Sequence, residues 1–477
     1  METSQTRRSI RILVPEYVPL DNKGEEAIVR GYGDLLFPKA AVELIVLDRC
    51  DRPEVRDGIR VWPRRWFYAE WRTRPFSLSL APRDLISSGF SALRHGLTAL
   101  PFWARMRPWP VRRVSKAIRR TSEMGGRGCR SELERAASDA LAADCVLAGH
   151  DGVFRTIDEC HVLDVFHESG LGYGILGMAL PIPLPFPHVR EAFRKAFTRA
   201  KFVYTRSPHG ARWAEIQFPN VEVRYAPDPA FALKPAPPGD VEGVIEEEGL
   251  QTFFESPVVM MSVCETEVSL RYGFPEERTA QGKRQAHIAL LTRMVESLLE
   301  RTKANVLFLP HCVGPRHLDD RILSRRVLDR VSRPAGRVRV LAGVYGARLL
   351  KGLLGRASML VSERVHALIA AVGMGIPFLC VGAKADLRYE SIIGAGCDCE
   401  DLICYLDTGK PQRVFPMLET IWASREELRQ RVTEVAVQIQ GKLDRAASEI
   451  RSRLIGYEAT GEKAAERRLE KQRWEDS

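Results

Sequence analysis

Short, nearly continuous apolar runs alternate with longer amphipathic stretches along most of this chain. Ile10–Val14, Val42–Leu47, Cys145–Ala148, Gly174–Ala179, Phe202–Thr205 and Val221–Tyr225 have the length and composition of buried strands. Helical patterns separate them: from Asp21 to about Leu36, over Val189–Thr198, and after Arg206-Ser207-Pro208. A second series follows. Its strands are Val258–Val263, Val306–Leu309, Val338–Leu341, Met359–Val361 and Phe378–Val381; its helices cover His287–Arg301, Asp319–Val331, Ala347–Leu354 and the segment after His366. Such alternation predicts parallel, doubly wound sheets. The Pro-rich segment Lys234–Asp240 reads as a linker. Two α/β, Rossmann-like domains are therefore expected, over 1–235 and 240–415, facing a cleft. Apolar residues from Leu418 to Leu454 recur at helical spacing and predict C-terminal helices over 416–455; the highly charged 456–477 reads as a frayed tail.

One region departs from this pattern. From Arg60 to Arg130 there are sixteen Lys or Arg against three acids, and five of the eight Trp (Trp62, Trp66, Trp71, Trp103 and Trp109) fall here. Leu85, Phe90, Leu93, Leu97, Leu100 and Trp103 sit at roughly helical spacing. Residues 55–135 thus read as a basic helical insert in the first domain. Such an insert either packs on its own domain with Arg on the wet face, or meets anionic lipid at a membrane surface.

Charge and cysteine usage narrow the partners. The chain has 71 Lys and Arg against 61 Asp and Glu, a formal +10, which favours phosphates, anionic sugars or lipid head groups. No nucleic-acid recognition motif accompanies the charge. The polar start leads straight into a short strand, Ile10–Val14, too short for the apolar region of a signal peptide, and no run approaches a membrane span. Ten scattered cysteines suit a reducing cytoplasm. Cys397, Cys399 and Cys404 cluster without a second Cys/His pair at zinc-finger spacing, so no metal is expected.

Candidate chemistry gathers at strand ends. In Ser362-Glu363-Arg364-Val365-His366-Ala367 a strand turns into a helix. Ligands of open α/β sheets bind outside the carboxyl ends of strands, where helix N-termini favour anions. Arg364 offers a planar fork for carboxylate or phosphate, and His366 can move a proton near neutral pH. Taken alone, the pair equally fits an Arg capping a carbonyl and a His packed between helix and strand. Arg206 occupies the matching place in the first domain, or is a surface Arg. In the first loop Gly24 lets a backbone approach a ligand and Asn22 can donate, unless both serve a plain turn. Asp228 between two prolines is a turn residue or holds a cation. His311 follows a strand. Gly149-His150-Asp151-Gly152 is Gly-rich but lacks a P-loop or dinucleotide fingerprint. Lys384 follows the last core strand, where phosphate could sit.

Taken together, Asn22–Ala27, Gly149–Gly152, Arg206-Ser207, Asp228–Phe231, Ser362–Ala367, Gly375–Pro377 and Lys384 resemble the polysaccharide pyruvyl transferase family in order and rough spacing. The resemblance covers about residues 10–50 and 140–410, with Arg-x-His-Ala its most specific part. Glu25 stands where Asp is commoner, and His150-Asp151 interrupts the usual Gly-Gly-Gly. The resemblance implies a GT-B-like fold and transfer of the enolpyruvyl carbons of phosphoenolpyruvate onto a saccharide as a ketal. It makes His366 the acid, and Arg364 and Arg206 the holders of carboxylate and phosphate. Lys384 helps neutralise phosphate; Asn22, Gly24, Glu25, His150, Asp228 and His311 line the substrates, with Glu25 as a base. No cofactor is implied beyond phosphoenolpyruvate as donor; the acceptor could be lipid- or nucleotide-linked, met at the inner membrane face. Two other readings stand beside it: a GT-B glycosyltransferase using a nucleotide sugar, and a non-catalytic saccharide-binding relative.

Overall fold

The computed structural model describes residues 9–64, 116–117, 121, 132–150, 157–182, 184, 186–265, 273–314, 318–332, 334, 336–408 and 411–475. Its strands are β1 (Ile10–Tyr17), β2 (Val42–Asp48), β3 (Glu54–Arg56), β4 (Ile59–Pro63), β5 (Cys145–Ala148), β6 (Tyr173–Met178), β7 (Val203–Thr205) and β8 (Arg224–Tyr225), followed by β9 (Val258–Ser262), β10 (Asn305–Phe308), β11 (Val338–Val340), β12 (Met359–Ser362), β13 (Phe378–Gly382) and β14 (Ile403–Tyr405). The first eight form one sheet in the order β3-β4-β2-β1-β5-β6-β7-β8, and the last six form another in the order β11-β10-β9-β12-β13-β14. Every pairing is parallel except β3 with β4. The two-sheet, GT-B-like α/β architecture is as expected. Central strands such as β9 and β12 are buried along their length, which is why they read as unbroken apolar runs.

The strand order reverses between β1 and β5 in the first sheet and between β9 and β12 in the second. At such switch points the loops diverge and leave room for a ligand. The loops after β1, β5, β9 and β12 carry Asn22, His150, Cys264 and Arg364.

Three expectations are corrected. β1 runs on to Tyr17, through a register shift between Val14 and Tyr17; Pro15, which has no N–H to give the ladder, lies inside it. The basic insert starts later than residue 55. Glu54–Arg56 and Ile59–Pro63 are sheet strands, and Trp62 is 1% exposed. Arg60 pairs with Glu43 and Asp139 at 2.5 and 2.9 Å, so it is spent on its own domain. The helical reading over 85–103 lies outside the described residues. Finally, residues 456–475 do not fray: one helix runs from Arg425 to Glu475. Ala, Glu, Lys and Arg dominate that stretch, and their helix propensity carries the backbone onward. No described helix is long and apolar enough to cross a membrane.

The long helix also ties the two sheets together. Tyr204 donates to Glu449 at 2.7 Å, Arg451 to the Leu35 carbonyl at 3.2 Å and Arg453 to the Lys201 carbonyl at 3.2 Å. Arg348 grips Asp34 through both its terminal nitrogens, at 2.7 and 2.9 Å. One apolar core is continuous across both domains.

Candidate active site

β12 ends at Ser362, whose hydroxyl accepts from the Arg364 amide at 2.9 Å and turns the chain. Arg364 keeps extended backbone angles as the N-cap of the helix Val365–Gly373. That helix is apolar and buried almost throughout, so packing fixes its axis and places His366 in its first turn. Behind the turn, Glu363 accepts from His287 Nε2 at 2.6 Å and from the Cys264 amide at 2.9 Å. Burial alone would push the His287 imidazole down, but the Glu363 carboxylate more than offsets it and holds it above its ordinary value.

In front, Arg364 meets Asp320, the first residue of the helix Asp320–Leu328: Nη2 to Oδ1 at 2.5 Å and Nε to Oδ2 at 3.2 Å. Asp320 Oδ2 also accepts from the amides of His311 and Cys312, at 3.0 and 2.8 Å. Burial lifts the Asp320 carboxyl above its usual value, although Arg364 and these amides pull the other way. The Arg364 side chain stays 22% exposed.

The first domain supplies a matching pair. Arg206 follows β7, where Ser207 caps the helix Pro208–Gln217. Arg206 is 1% exposed and donates through Nη1 to Asp228 Oδ2 at 2.8 Å. Asp228 is 0% exposed, and its other oxygen accepts from the Ala230 amide at 2.9 Å. His366 Nε2 lies 3.8 Å from Asp228 Oδ2, near enough to pair as an imidazolium but too far for a hydrogen bond. That nitrogen is buried and has no hydrogen-bond partner. Burial pushes the Asp228 carboxyl up, yet His366, Arg206 and the Ala230 amide overcome it and hold it below its ordinary value.

A backbone seam joins the domains at this point. Lys23 N donates to the His311 carbonyl at 2.8 Å and Val313 N to the Asp21 carbonyl at 3.0 Å, while Asn22 bridges Cys312. Asn22 spends its side-chain oxygen on the Gly24 amide at 3.1 Å, capping the helix Lys23–Leu36. Gly24 does permit a close approach, but to His366: a Cβ there would lie 2.2 Å from Nδ1. His311 is buried with Nδ1 unpartnered, and burial, then the charges of Arg364, His366 and Lys23, push it down to about 3, so it is neutral.

Glu25 and His150 belong to a neighbouring buried cluster. His150 Nδ1 is 2.7 Å from Glu16 and its Nε2 is 3.5 Å from Glu25 Oε2 and 3.1 Å from the Tyr17 carbonyl. Glu16 also takes the amides of Gly149 and His150, so this turn is built around a carboxylate. His150 is fully buried. Residues 151–152 of the Gly-rich turn lie outside the described residues.

The structure therefore brings Arg206, Asp228, His366, Gly24, Asn22, His311 and Arg364 together at the seam, with Glu25 and His150 beside them. Lys384 is exposed, and its described contact is a backbone one, to Asp407 at 2.8 Å. Sequence reading missed Asp320, Glu16 and His287. A signal for Asp320 existed: Asp319-Asp320 opens a helix that follows a sheet-edge loop.

These features define an α/β protein with an arginine- and imidazole-bearing site where two switch points meet. Residues 183–384 match the family model described as polysaccharide pyruvyl transferase. No curated protein sequence matches the chain. Among solved structures, the chain is similar to the N-terminal domain of Candida albicans trehalose-6-phosphate phosphatase at 13% identity (94% of this chain, 98% of that one, TM-score 0.48). It is also similar to Neisseria meningitidis UDP-GlcNAc 2-epimerase bound to UDP-GlcNAc at 10% identity (94% and 100%, TM-score 0.46). A trehalose-phosphate synthase from Burkholderia xenovorans, in complex with glucose-6-phosphate, matches at 13% identity (94% and 100%, TM-score 0.48).

Proposed function

We propose that the protein transfers the enolpyruvyl carbons of phosphoenolpyruvate onto two hydroxyls of a saccharide, forming a pyruvate ketal and releasing phosphate. The observation that carries this is His366: a buried imidazole with an unpartnered Nε2, 3.8 Å from the carboxylate that Arg206 holds. Phosphoenolpyruvate carries a carboxylate and a phosphate, and the exposed edge of Arg364 suits either group. His366 donates a proton to C3, leaving C2 oxocarbenium-like. A sugar hydroxyl attacks C2, the C2–O bond to phosphate breaks, and a neighbouring hydroxyl closes the ketal. Of the two hydroxyl protons lost, one balances the proton spent at C3 and the other leaves on phosphate. Arg364, with Arg206 behind Asp228, stabilises the charge that moves to phosphate. Glu25 serves as the base toward the acceptor.

The test is ligand-dependent thermal stability, since a ligand that binds only the folded state raises the melting midpoint. Phosphoenolpyruvate should raise it and Arg364→Ala should abolish the shift. His366→Ala should still bind phosphoenolpyruvate but release no phosphate when a panel of saccharide acceptors is added. A shift with a UDP-sugar alone would overturn this reading in favour of glycosyl transfer.

A further inference from the structure

Asp320 lies outside the set of residues that would touch substrate, yet it holds both Arg364 and the loop that carries His311. A guanidinium carries five N–H donors. Asp320 takes two from one edge of Arg364, through Nε at 3.2 Å and Nη2 at 2.5 Å. The opposite edge, Nη1 with the remaining Nη2 hydrogen, is left for a ligand, in a plane that Asp320 sets. The same carboxylate holds the amides of His311 and Cys312 at 3.0 and 2.8 Å, and the Asp320 amide returns a bond to the Cys312 carbonyl at 2.9 Å. That loop is the second-domain half of the seam, paired with Asp21–Lys23 of the first domain. One buried carboxylate thus fixes both the orientation of the anion-binding arginine and the loop that docks the other domain.

We propose that Asp320 is the positioning residue of the anion site, aiming the free edge of Arg364 at the donor's carboxylate or phosphate. This rests on the pyruvyl transfer reading for the donor's identity, but not for its charge.

The isostere separates the two jobs of Asp320. An Asn carbonyl oxygen can still accept from the His311 and Cys312 amides, but its amide is neutral and presents N–H groups to Arg364. With the full-length protein, phosphoenolpyruvate affinity is measured by calorimetry beside the melting midpoint. Asp320→Asn should fold, keep its seam and lose about tenfold to hundredfold in affinity, the range expected for a charge-assisted pair. Asp320→Glu, which restores the charge, should recover part of the loss. In an Arg364→Lys background, where there is no fork to orient, Asp320→Asn should add little. Wild-type affinity in Asp320→Asn, or full additivity with Arg364→Lys, overturns the proposal. If Asp320→Asn does not fold, Asp320→Glu decides: reduced affinity that is non-additive with Arg364→Lys supports it, and wild-type affinity overturns it. A wild type that binds inorganic phosphate but not phosphoenolpyruvate refutes the functional reading alone, and the same comparisons are then read with phosphate. A wild type that binds neither overturns both.

Discussion

The backbone of Gly24 faces the imidazole of His366 with no room for another atom: a Cβ at residue 24 would lie 2.2 Å from Nδ1 and 2.6 Å from Cγ. Gly24 and His366 come from different domains, so the ring that would deliver the proton is walled by the domain opposite. Gly24→Ala must push either the ring or the seam aside. Overpacking of this kind costs about 1–3 kcal/mol. The larger effect should be on chemistry, because about 1 Å of misplacement can cost on the order of 100-fold in rate. Phosphate release should fall by about that factor while phosphoenolpyruvate still raises the melting midpoint through Arg364. A variant with wild-type phosphate release would mean that His366 is not the acid.

Asp228 pairs with Arg206, lies 3.8 Å from the His366 imidazole and touches solvent nowhere. Replacing it by Asn leaves Arg206 as a buried charge without its carboxylate, a loss of about 3–5 kcal/mol for a broken buried pair. The sign with pH follows from its depressed value. The contribution is complete above the ordinary carboxylate range and is lost as pH falls through the lowered folded value. Melting midpoints of wild type and Asp228→Asn should therefore lie far apart at pH 7 and converge below about pH 4. A gap that stays constant into acid would contradict an ionised Asp228.

How much of this was legible beforehand depended on the kind of pattern. The central strands declared themselves because parallel strands are buried on both faces, as in Val258–Ser262 and Phe378–Gly382. Glu54–Arg56, Arg224–Tyr225 and Ile403–Tyr405 are too short to show any period. Arg206, Asp228, His311 and His366 stood out because each follows a strand, and they do meet. What no local pattern could show was the partner each would take. Asp320 looks like an ordinary helix start until the fold sets it against a residue 44 positions away. Gly24 looked like ligand space, whereas the space belongs to His366.

The basic, Trp-bearing stretch poses a separate question, because Trp62 and Arg60 turn out to serve the sheet. A membrane role would have to rest on residues 65–115. Deleting that segment should abolish flotation with vesicles containing anionic phosphatidylserine and leave binding of phosphoenolpyruvate unchanged. Binding should also weaken with salt, since surface charges are screened within about 8–10 Å at physiological ionic strength. Equal flotation of both proteins would assign the stretch to its own domain instead.

His287 and Glu363 form a buried pair directly behind Arg364, at 2.6 Å. Glu363 stands between Ser362 and Arg364 in the chain, and its second oxygen holds the Cys264 amide at 2.9 Å, so the pair clamps the strand-to-helix turn from behind. The folded imidazole is held above its ordinary value by Glu363, against the effect of burial. Its stabilising contribution is therefore complete below about pH 6.5, the ordinary value for imidazole, and is lost as pH rises through the raised folded value. His287→Gln should be less stable than wild type by about 3–5 kcal/mol at pH 6, the cost of leaving Glu363 buried and unpaired. Melting curves of the two proteins should draw together as pH rises to 9, because wild type then gives up the same interaction. If the difference instead widens with pH, the imidazole is neutral in the folded protein, and the turn that presents Arg364 is held by a neutral hydrogen bond rather than by an ion pair.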